Sequence, residues 1–489
     1  MKRLLTILTL LFILSTYGCT HTIYFDKKPI DNNTEDTTDK ENNSDDSSSS
    51  EDNKNDDIIV IPNNEIWYTS TDGNIVEPNK ADGFGANLLS NTYENDKGVI
   101  TFDGEVTSIG EYAFYQCNGL TSITIPNSVT VIGDYIFSFC EGLTNVTIPN
   151  SITVIGDAAF ANCSGLTSVT IGNGVTKIGN DAFYRSGLTS IAIPNSVIEI
   201  GDNAFLECYG LTSITIPNSV IKIGRDPFHN CSNITEFKGK FASEDGRCLI
   251  VDGALKSFAP AGITAYNIPN SVTQIGYGAF SSCHSLTSIT IPDSVTKIGD
   301  YAFEGCYSLT SITIPDSVTE IDCAAFYACD GLTSFIIPNS VTKIDVNPFQ
   351  HCENLAEFKG KFASEDGRCL IIDGVLNSFA PAGLTTYSIP NNVTEIGSYA
   401  FWYCDGLTSI TIPDSVTEIE HQAFSYCSGL TSVFCERTTP PTANFGDYWR
   451  AFDDNASDRK IYVPRESVNL HKAADGWKEY ADAIEPYDF

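Results

Sequence analysis

Apolar and polar residues alternate along most of this chain in a unit of about 23 residues. In one copy, Leu120, Ile123 and Ile125 have the spacing of the inward-facing side of a β-strand, while Ser122 and Thr124 alternate outward. Proline follows the strand at position 126, where its missing N–H ends a hydrogen-bonded ladder. Each unit is therefore predicted to begin with one short strand and a turn.

The second half of the unit returns the chain to the core. Val129 and Ile132 are apolar, Gly133 permits a bend, and Phe137 is large enough to fill the interior. A unit this short cannot bury its own apolar face, so it must stack on further copies as a solenoid. Strand pairing sets the coils ~4.8 Å apart, which gives about a dozen units a body of roughly 60 Å. The repeated phenylalanines are Phe114, Phe137, Phe160, Phe183, Phe205, Phe228, Phe280, Phe303, Phe326, Phe349, Phe401 and Phe424.

The units read L-x-x-I-x-I-P-x-x-V-x-x-I-G-x-x-A-F-x-x-C, as in Leu211 to Pro217 followed by Ile223-Gly224. This pattern resembles the BspA-like family of leucine-rich repeats over Ile109 to Val433. The resemblance implies a right-handed coil with a parallel β-sheet face and short irregular or helical convex segments, here assigned to residues 107–435. It also implies a cell-surface protein of an anaerobic or host-associated bacterium, and family members are implicated in adhesion to host matrix proteins.

The chain also contains a second, longer sequence repeat. The stretch from Phe237 to Ile250 reappears from Phe358 to Ile371, displaced by 121 residues, so a block of four units was duplicated. Each copy lengthens one unit to 52 residues with an insertion near 237–262 or 358–383, in which Asp-Gly predicts a hairpin turn. Such hairpins are expected to project from the solenoid.

The insertions carry basic residues within an acidic body. They are Lys238, Lys240, Arg247, Lys359, Lys361 and Arg368. Two interpretations stay open: matched contact points for an anionic ligand, or a hairpin that accommodates a longer coil and leaves its charges solvated. The second is favoured.

Both ends of an open array need covers, because a terminal coil would expose strand edges and core. Residues 58–106 are predicted to form an N-terminal β cap. Residues 436–489 are predicted to form a C-terminal cap with a short helical segment, in which Trp477 belongs to the core.

Residues 1–19 have a charged start, an apolar run and a Gly-Cys pair, which resembles a bacterial lipobox with Cys19 as the lipid attachment site. The alternative is a plain secretory signal with an incidental cysteine. Residues 20–57 are predicted to be a disordered acidic tether, since Asp26 to Asp57 holds 12 acidic and 4 basic residues. The expected location is a bacterial outer membrane lipoprotein at the cell surface, whose only membrane contact is the lipid.

The formal net charge of −34 argues against nucleic acid, because such binding depends on basic residues that neutralise phosphates. The sequence holds no H-E-x-x-H, G-x-S-x-G or phosphate-cradling glycine motif, so we expect no enzyme, cofactor or metal site.

Eleven cysteines follow the repeated phenylalanine by three residues, and the unit at Phe183 lacks this cysteine. In-register positions favour buried free thiols over disulfides, and disulfides over a metal ladder. The cysteines are Cys117, Cys140, Cys163, Cys208, Cys231, Cys283, Cys306, Cys329, Cys352, Cys404 and Cys427.

The outward strand face is predicted to carry columns of hydroxyls. Its candidate binding residues are Ser122, Thr124, Ser168, Thr170, Ser213, Thr215, Ser288 and Thr290. They suit a glycan or an extended peptide, although β-propensity and solubility alone select the same residues on a solvated face. The sequence therefore predicts a monomeric binding solenoid that adheres to host or neighbouring-cell proteins or glycans, such as matrix proteins or mucin. The alternative is an envelope scaffold with partners from its own cell.

Overall fold

The computed structural model describes residues 61–443 and 450–489. The predicted signal segment, Cys19 and the tether lie outside the described residues. Within the described ranges the chain is a stack of coils with two β ladders, as the repeat predicts. No helix of the described part is long and apolar enough to span a bilayer.

The first ladder contains the strands that begin each unit, paired in parallel with the same residue of the next unit. Ile123 pairs with Val146, and Val146 pairs with Val169, so buried side chains stack inward and polar ones outward. Its strands are Leu120–Thr124, Asn145–Ile148, Ser168–Ile171, Ser213–Ile216, Glu236–Gly239, Ala265–Asn267, Ser288–Thr290, Ser334–Ile337, Glu357–Gly360, Thr386–Ser388, Ser409–Ile412, Ser432–Cys435, Lys460–Pro464 and Ile484–Tyr487.

The second ladder lies after the proline turn and consists of two-residue strands. Each ends in one apolar residue, usually buried, such as Ile178 paired with Ile200. Its strands are Ser108–Ile109, Val131–Ile132, Val154–Ile155, Lys177–Ile178, Glu199–Ile200, Lys222–Ile223, Gln274–Ile275, Lys297–Ile298, Glu320–Ile321, Lys343–Ile344, Glu395–Ile396, Glu418–Ile419 and Thr442–Ala443.

Gly133, which follows the second ladder, has a different role from the bend expected of it. A Cβ on this residue would lie 2.5 Å from the Glu111 nitrogen and 2.7 Å from the Gly110 carbonyl carbon of the preceding coil. Glycine is therefore needed here because consecutive backbones stack closely.

A third set of coil-to-coil contacts surrounds each repeated phenylalanine, and we call this segment the arc. The residues two before and two after the phenylalanine have left-handed backbones, as in Tyr112 (φ 58°) and Gln116 (φ 59°) around Phe114. The amide nitrogens of these three residues donate to carbonyls of the next coil at 2.8–3.1 Å. Arc rings then stack with centroids 5.3–5.5 Å apart from Phe114 to Phe228.

The first ladder is interrupted in the unit after Phe183, which is one residue short, and also in the full-length unit from Leu309 to Pro315, where Thr313 makes only an isolated bridge to Thr290. The segment that should supply Ser190 and Ala192 to the first ladder contains no strand, and the ladder is interrupted there. Ser186 occupies the missing cysteine position. It is buried, and its amide nitrogen donates to the Phe183 carbonyl as ladder cysteines do.

The two insertions lie within the stack, contrary to the expectation that they project. Strands Cys248–Val251 and Ala254–Phe258 form a hairpin whose turn residues, Asp252 and Gly253, have φ of 51° and 79°. The second strand pairs in parallel with Gln274–Ile275, so the hairpin occupies the second ladder in place of a full coil. The later copy, Cys369–Ile372 and Val375–Phe379, has the same arrangement.

The hairpins also separate the core into three clusters. Leu249 and Ala259 pack on the cluster before the first hairpin, whereas Leu255 and Phe258 belong to the cluster after it. Among the described residues, no backbone hydrogen bond joins the arc at Phe228 to the arc at Phe280, or the arc at Phe349 to that at Phe401. We call these two places the first and second junctions.

Antiparallel strands lie at the start of the described part. They are Glu65–Ser70, Leu88–Glu94 and Lys97–Phe102, and the first pairs with Leu120–Thr124. At the other end, the 3₁₀ helices Arg465–Ser467 and Lys478–Ala483 flank the helix Val468–Ala473, and Trp477 is buried beneath them.

Candidate binding surfaces

All eight hydroxyl residues proposed from the sequence lie on the outward side of the first ladder. Ser122 aligns with Asn145 and Ser168, and Thr124 aligns with Thr147 and Thr170, so these form two adjacent rows. The four threonines among the eight are exposed, while Ser122 and Ser213 are half-buried.

The rows do not continue along the whole body. The short unit at Phe183 separates Ser168 from Ser213, and in the strands next to the first hairpin Ser213 faces Glu236 and Ser288 faces Ala265. The eight residues therefore form three separate hydroxyl groups on one face.

Four aromatic rings gather at the C-terminal end of this face, and we call them the aromatic platform. Phe434 stacks on Tyr462 at 4.8 Å, and Tyr487 and Phe489 pack edge-on against Phe434 at 5.1 and 6.5 Å. Tyr487 and Phe489 are 42% and 53% exposed. The platform forms because three neighbouring strands place Phe434 opposite Tyr462 and bring the chain end alongside.

The sequence analysis proposed none of these four aromatic residues as a binding residue. The alternation in Ile461-Tyr462-Val463 was a usable signal for Tyr462, because it turns that ring outward beside Phe434. The final strand, Ile484–Tyr487, does not follow the repeat pattern, so the repeat does not predict it.

The basic residues of the insertions are mostly engaged within the protein. Lys240 Nζ donates to the Val220 carbonyl at 2.6 Å, and Arg247 donates to the carbonyls of Ala259 and Ala261 at 3.1 and 3.0 Å. Lys361 and Arg368 make the matching contacts in the second copy. Lys238 and Lys359 are about half exposed and pair with Glu236 and Glu357. These contacts support the interpretation in which the hairpin accommodates a longer coil.

The cysteine ladder consists of free thiols, all buried except the half-buried Cys117. Most buried members donate S–H to the carbonyl of the phenylalanine 26 or 25 residues earlier, as Cys163 does to Phe137 at 3.0 Å. Burial raises the pKa of Cys163 and Cys208 to about 12. These thiols are therefore packing groups with one internal hydrogen bond each. Among the described residues, no group of histidine, cysteine and acidic side chains is arranged to hold a metal ion.

The first junction is bridged by an ionic cluster instead of backbone hydrogen bonds. His229 Nδ1 lies 2.5 Å from Asp226 Oδ2, and its Nε2 lies 3.2 Å from Ser281 Oγ and 3.3 Å from Glu304 Oε2. Burial lowers the pKa of His229, but the attraction of Asp226 and the other carboxylates outweighs burial and raises the pKa to about 9. Both ring nitrogens of His229 face oxygen atoms, so a protonated His229 would donate from both of them.

The second junction is aromatic. Tyr403 stacks on Tyr426 at 4.8 Å, His351 lies 4.8 Å from Tyr403, and Trp402 contacts Tyr327 and Tyr403 at 6.1 and 4.5 Å. Of these residues, His351, Trp402 and Tyr403 line a shallow cleft with room for about one water molecule. Sequence reasoning missed this cluster because its members lie one or two residues from the repeated phenylalanine, where the repeat has no fixed residue.

Sequence comparison matches segments 89–209, 176–241, 254–364 and 376–469 to the BspA type leucine rich repeat region. Among solved structures, a leucine rich cell surface protein from Faecalibacterium prausnitzii is 27% identical with a TM-score of 0.42, covering 71% of this chain and 86% of its own. A leucine-rich repeat protein from Eubacterium ventriosum is 20% identical with a TM-score of 0.46, covering 78% and 96%. No curated protein shows significant similarity to the chain.

Proposed function

The chain belongs to the BspA-type leucine-rich repeat family, and on that premise we propose that it is a surface-displayed protein that binds a protein partner along its first-ladder face. The aromatic platform is the observation that carries this proposal. Exposed aromatic clusters are uncommon on monomers, and at protein interfaces tyrosine and other large aromatic side chains often supply much of the binding energy.

The hydroxyl groups supply the polar part of the same face. Threonine and serine hydroxyls both donate and accept hydrogen bonds, so they can match a partner's backbone without fixing its side chains. Contacts spread along several coils would then orient the partner, while Phe434, Tyr462, Tyr487 and Phe489 anchor it.

The expected setting is the bacterial surface, with the lipid at Cys19 as anchor and residues 20–57 as tether. Host matrix proteins or mucin are the proposed partners. The scaffold alternative keeps the same face and requires a partner from the envelope of the same cell.

Purified protein should be tested by biolayer interferometry against matrix proteins, mucin and an envelope extract of the parent bacterium. The Phe434→Ser/Tyr462→Ser variant should weaken binding at least tenfold, about 1.4 kcal/mol. Tyr112→Ser/Tyr135→Ser, which removes an exposed stacked pair of rings from the arc and not from the first-ladder face, is the matched control and should change binding little. No partner in any class, or equal binding by the platform variant, would overturn the proposal. Binding confined to the parent envelope would replace adhesion with the scaffold role.

A further inference from the structure

The antiparallel sheet at the start of the described part ends on a strand with no neighbour on one side. Leu88–Glu94 pairs with Lys97–Phe102 and forms an edge of the six-stranded sheet. Within residues 61–443 and 450–489, no backbone hydrogen bond joins its other side to a further segment. We call that side the open edge. At seven residues this strand is the longest of the described part.

The pairing register shows which backbone groups the open edge presents. The Phe102 amide donates to the Asn64 carbonyl at 2.9 Å, so the backbone groups of Phe102 point away from Leu88–Glu94. Those of Thr101 and Val99, which alternate with it, therefore point toward their partners Ser90 and Thr92. The residues between and beyond these partners, Asn91 and Tyr93, consequently direct their N–H and C=O groups to the open edge.

The open edge lacks the features that usually protect a sheet edge. The strand contains neither lysine nor proline, and its bulge at Leu89 lies near one end, so Ser90 to Glu94 stay regular. The edge strand at the other end of the body, Ile484–Tyr487, contains Pro486, which has no N–H to donate. Only the first of these two edges is suited to accept a further strand.

The surroundings of the open edge are acidic. Residues 61–106 hold eight acidic and two basic residues, and both lysines lie over aromatic rings of the protein. Glu94 is exposed at the end of the strand, and Glu77 Oε2 accepts a hydrogen bond from Asn91 Nδ2 at 3.3 Å. A second copy of this chain would bring the same negative charge, whereas a basic partner is attracted.

We propose that the open edge binds an extended segment of a basic protein, which adds to the sheet as a seventh strand. The backbone of this segment pairs with Asn91 and Tyr93, and its basic side chains lie beside Glu94. Leu89, which is 65% exposed, supplies an apolar contact near the other end of the strand. This surface is separate from the aromatic platform, so the inference goes beyond the proposed function.

Two variants address the backbone and the charge separately. Tyr93→Pro removes one N–H from the open edge, and proline is tolerated on an edge strand where the N–H faces solvent. Glu94→Lys reverses an exposed charge and leaves the backbone unchanged. Glu485→Lys makes the same charge change in the edge strand at the other end and is the matched control. Circular dichroism and thermal melting check that all three retain the fold.

The probe is a fluorescein-labelled seven-residue peptide that alternates arginine and valine, titrated with the whole chain in 0.15 M NaCl and followed by fluorescence anisotropy. Binding should be saturable and at least tenfold weaker in Tyr93→Pro and in Glu94→Lys. It should be unchanged in Glu485→Lys and in Phe434→Ser/Tyr462→Ser, which separates this edge from the aromatic platform. The same peptide N-methylated at alternate backbone nitrogens keeps its charge but cannot pair as a strand, so it should bind at least tenfold more weakly. Hydrogen exchange should slow in residues 88–94 when the unmodified peptide is bound.

Several results would overturn the proposal. These are the absence of saturable binding, equal binding of the N-methylated peptide, or unchanged binding by both edge variants. Equal binding of a peptide that alternates glutamate and valine would overturn the basic assignment. A dimer of the parent chain in sedimentation velocity that Tyr93→Pro abolishes would assign the open edge to a second copy instead.

Discussion

Cys140 donates its thiol hydrogen to the carbonyl oxygen of Phe114, one coil earlier, at 3.0 Å. The same carbonyl accepts the amide hydrogen of Cys117 at 3.1 Å. A cysteine three residues after the phenylalanine therefore supplies a weak donor as well as an apolar group, and it joins neighbouring coils from within the core.

The loss of stability on replacing a ladder cysteine should depend on whether the new side chain keeps a hydrogen-bond donor. Cys163→Ala removes the sulfur and its hydrogen bond, so we expect a loss of about 1–3 kcal/mol in the free energy of unfolding. Cys163→Ser keeps a donor and should cost less. Ser186→Cys, which restores the ladder residue at the short unit, is the matched control and should be neutral or stabilising. Chemical denaturation measures all three, and equal losses for Ala and Ser would contradict a role for the hydrogen bond.

Thiol reactivity should follow burial along the ladder. Cys117 is half-buried and its pKa is raised by burial to about 11, whereas Cys163 is fully buried with a pKa of about 12. Because the thiolate is the reactive form, iodoacetamide should label Cys117 first and Cys163 only after unfolding. Site-resolved mass spectrometry of the native protein checks this order. Early labelling of Cys163 would indicate that the coils open locally.

The ionic cluster of the first junction should make stability depend on pH. The pKa of His229 in the folded protein, about 9, lies above the unfolded value near 6.5. Its stabilising contribution is therefore complete below pH 6.5 and is lost as pH rises through about 9. His229 shares this environment with Asp226, Glu304, Glu207 and Arg225. The contribution of His229 must therefore be measured as the difference in the free energy of unfolding between the parent protein and a variant.

His229→Gln provides that difference, because glutamine is the residue of the second copy at position 350. The variant should be less stable than the parent by about 1–3 kcal/mol at pH 6, and the gap should narrow toward pH 9.5. Thermal melts across this range measure the gap. A gap that is constant with pH would exclude a charged His229.

The two lysines of the first insertion should behave differently. Lys240→Ala frees the Val220 carbonyl and should cost about 1 kcal/mol, while Lys238→Ala breaks only an exposed ion pair and should cost less than about 0.5 kcal/mol. Neither should change retention on heparin. If both substitutions reduce heparin retention without loss of stability, the basic residues form an anion site after all.

Much of the fold follows from the sequence because each repeated residue has one physical task. The spacing of Ile123 and Ile125 predicts the first ladder, and the ring of Phe137 predicts the stack of phenylalanines. The cysteine that follows predicts the buried free thiols. The exceptions are local. The segment with Ser190 and Ala192, in the unit that is one residue short, contains no strand, and neither does the full-length unit with Ser311 and Thr313.

The candidate surface clusters were harder to predict. Trp402 and His351 are 51 residues apart in sequence, and they meet because a hairpin occupies the space of a coil between them. Tyr403 and Tyr426 have left-handed backbones. Neither the strand period nor the helix period predicts which way such residues face. Periodicity identifies residues that face the core, but these aromatic residues lie where the repeat leaves the residue type free.

The two junctions also determine how the body would respond to load. Each lacks the arc hydrogen bonds found elsewhere and coincides with a boundary between core clusters. A pull applied along the stack would meet its weakest cross-section there, so the protein would extend as three successive segments and dissipate force stepwise.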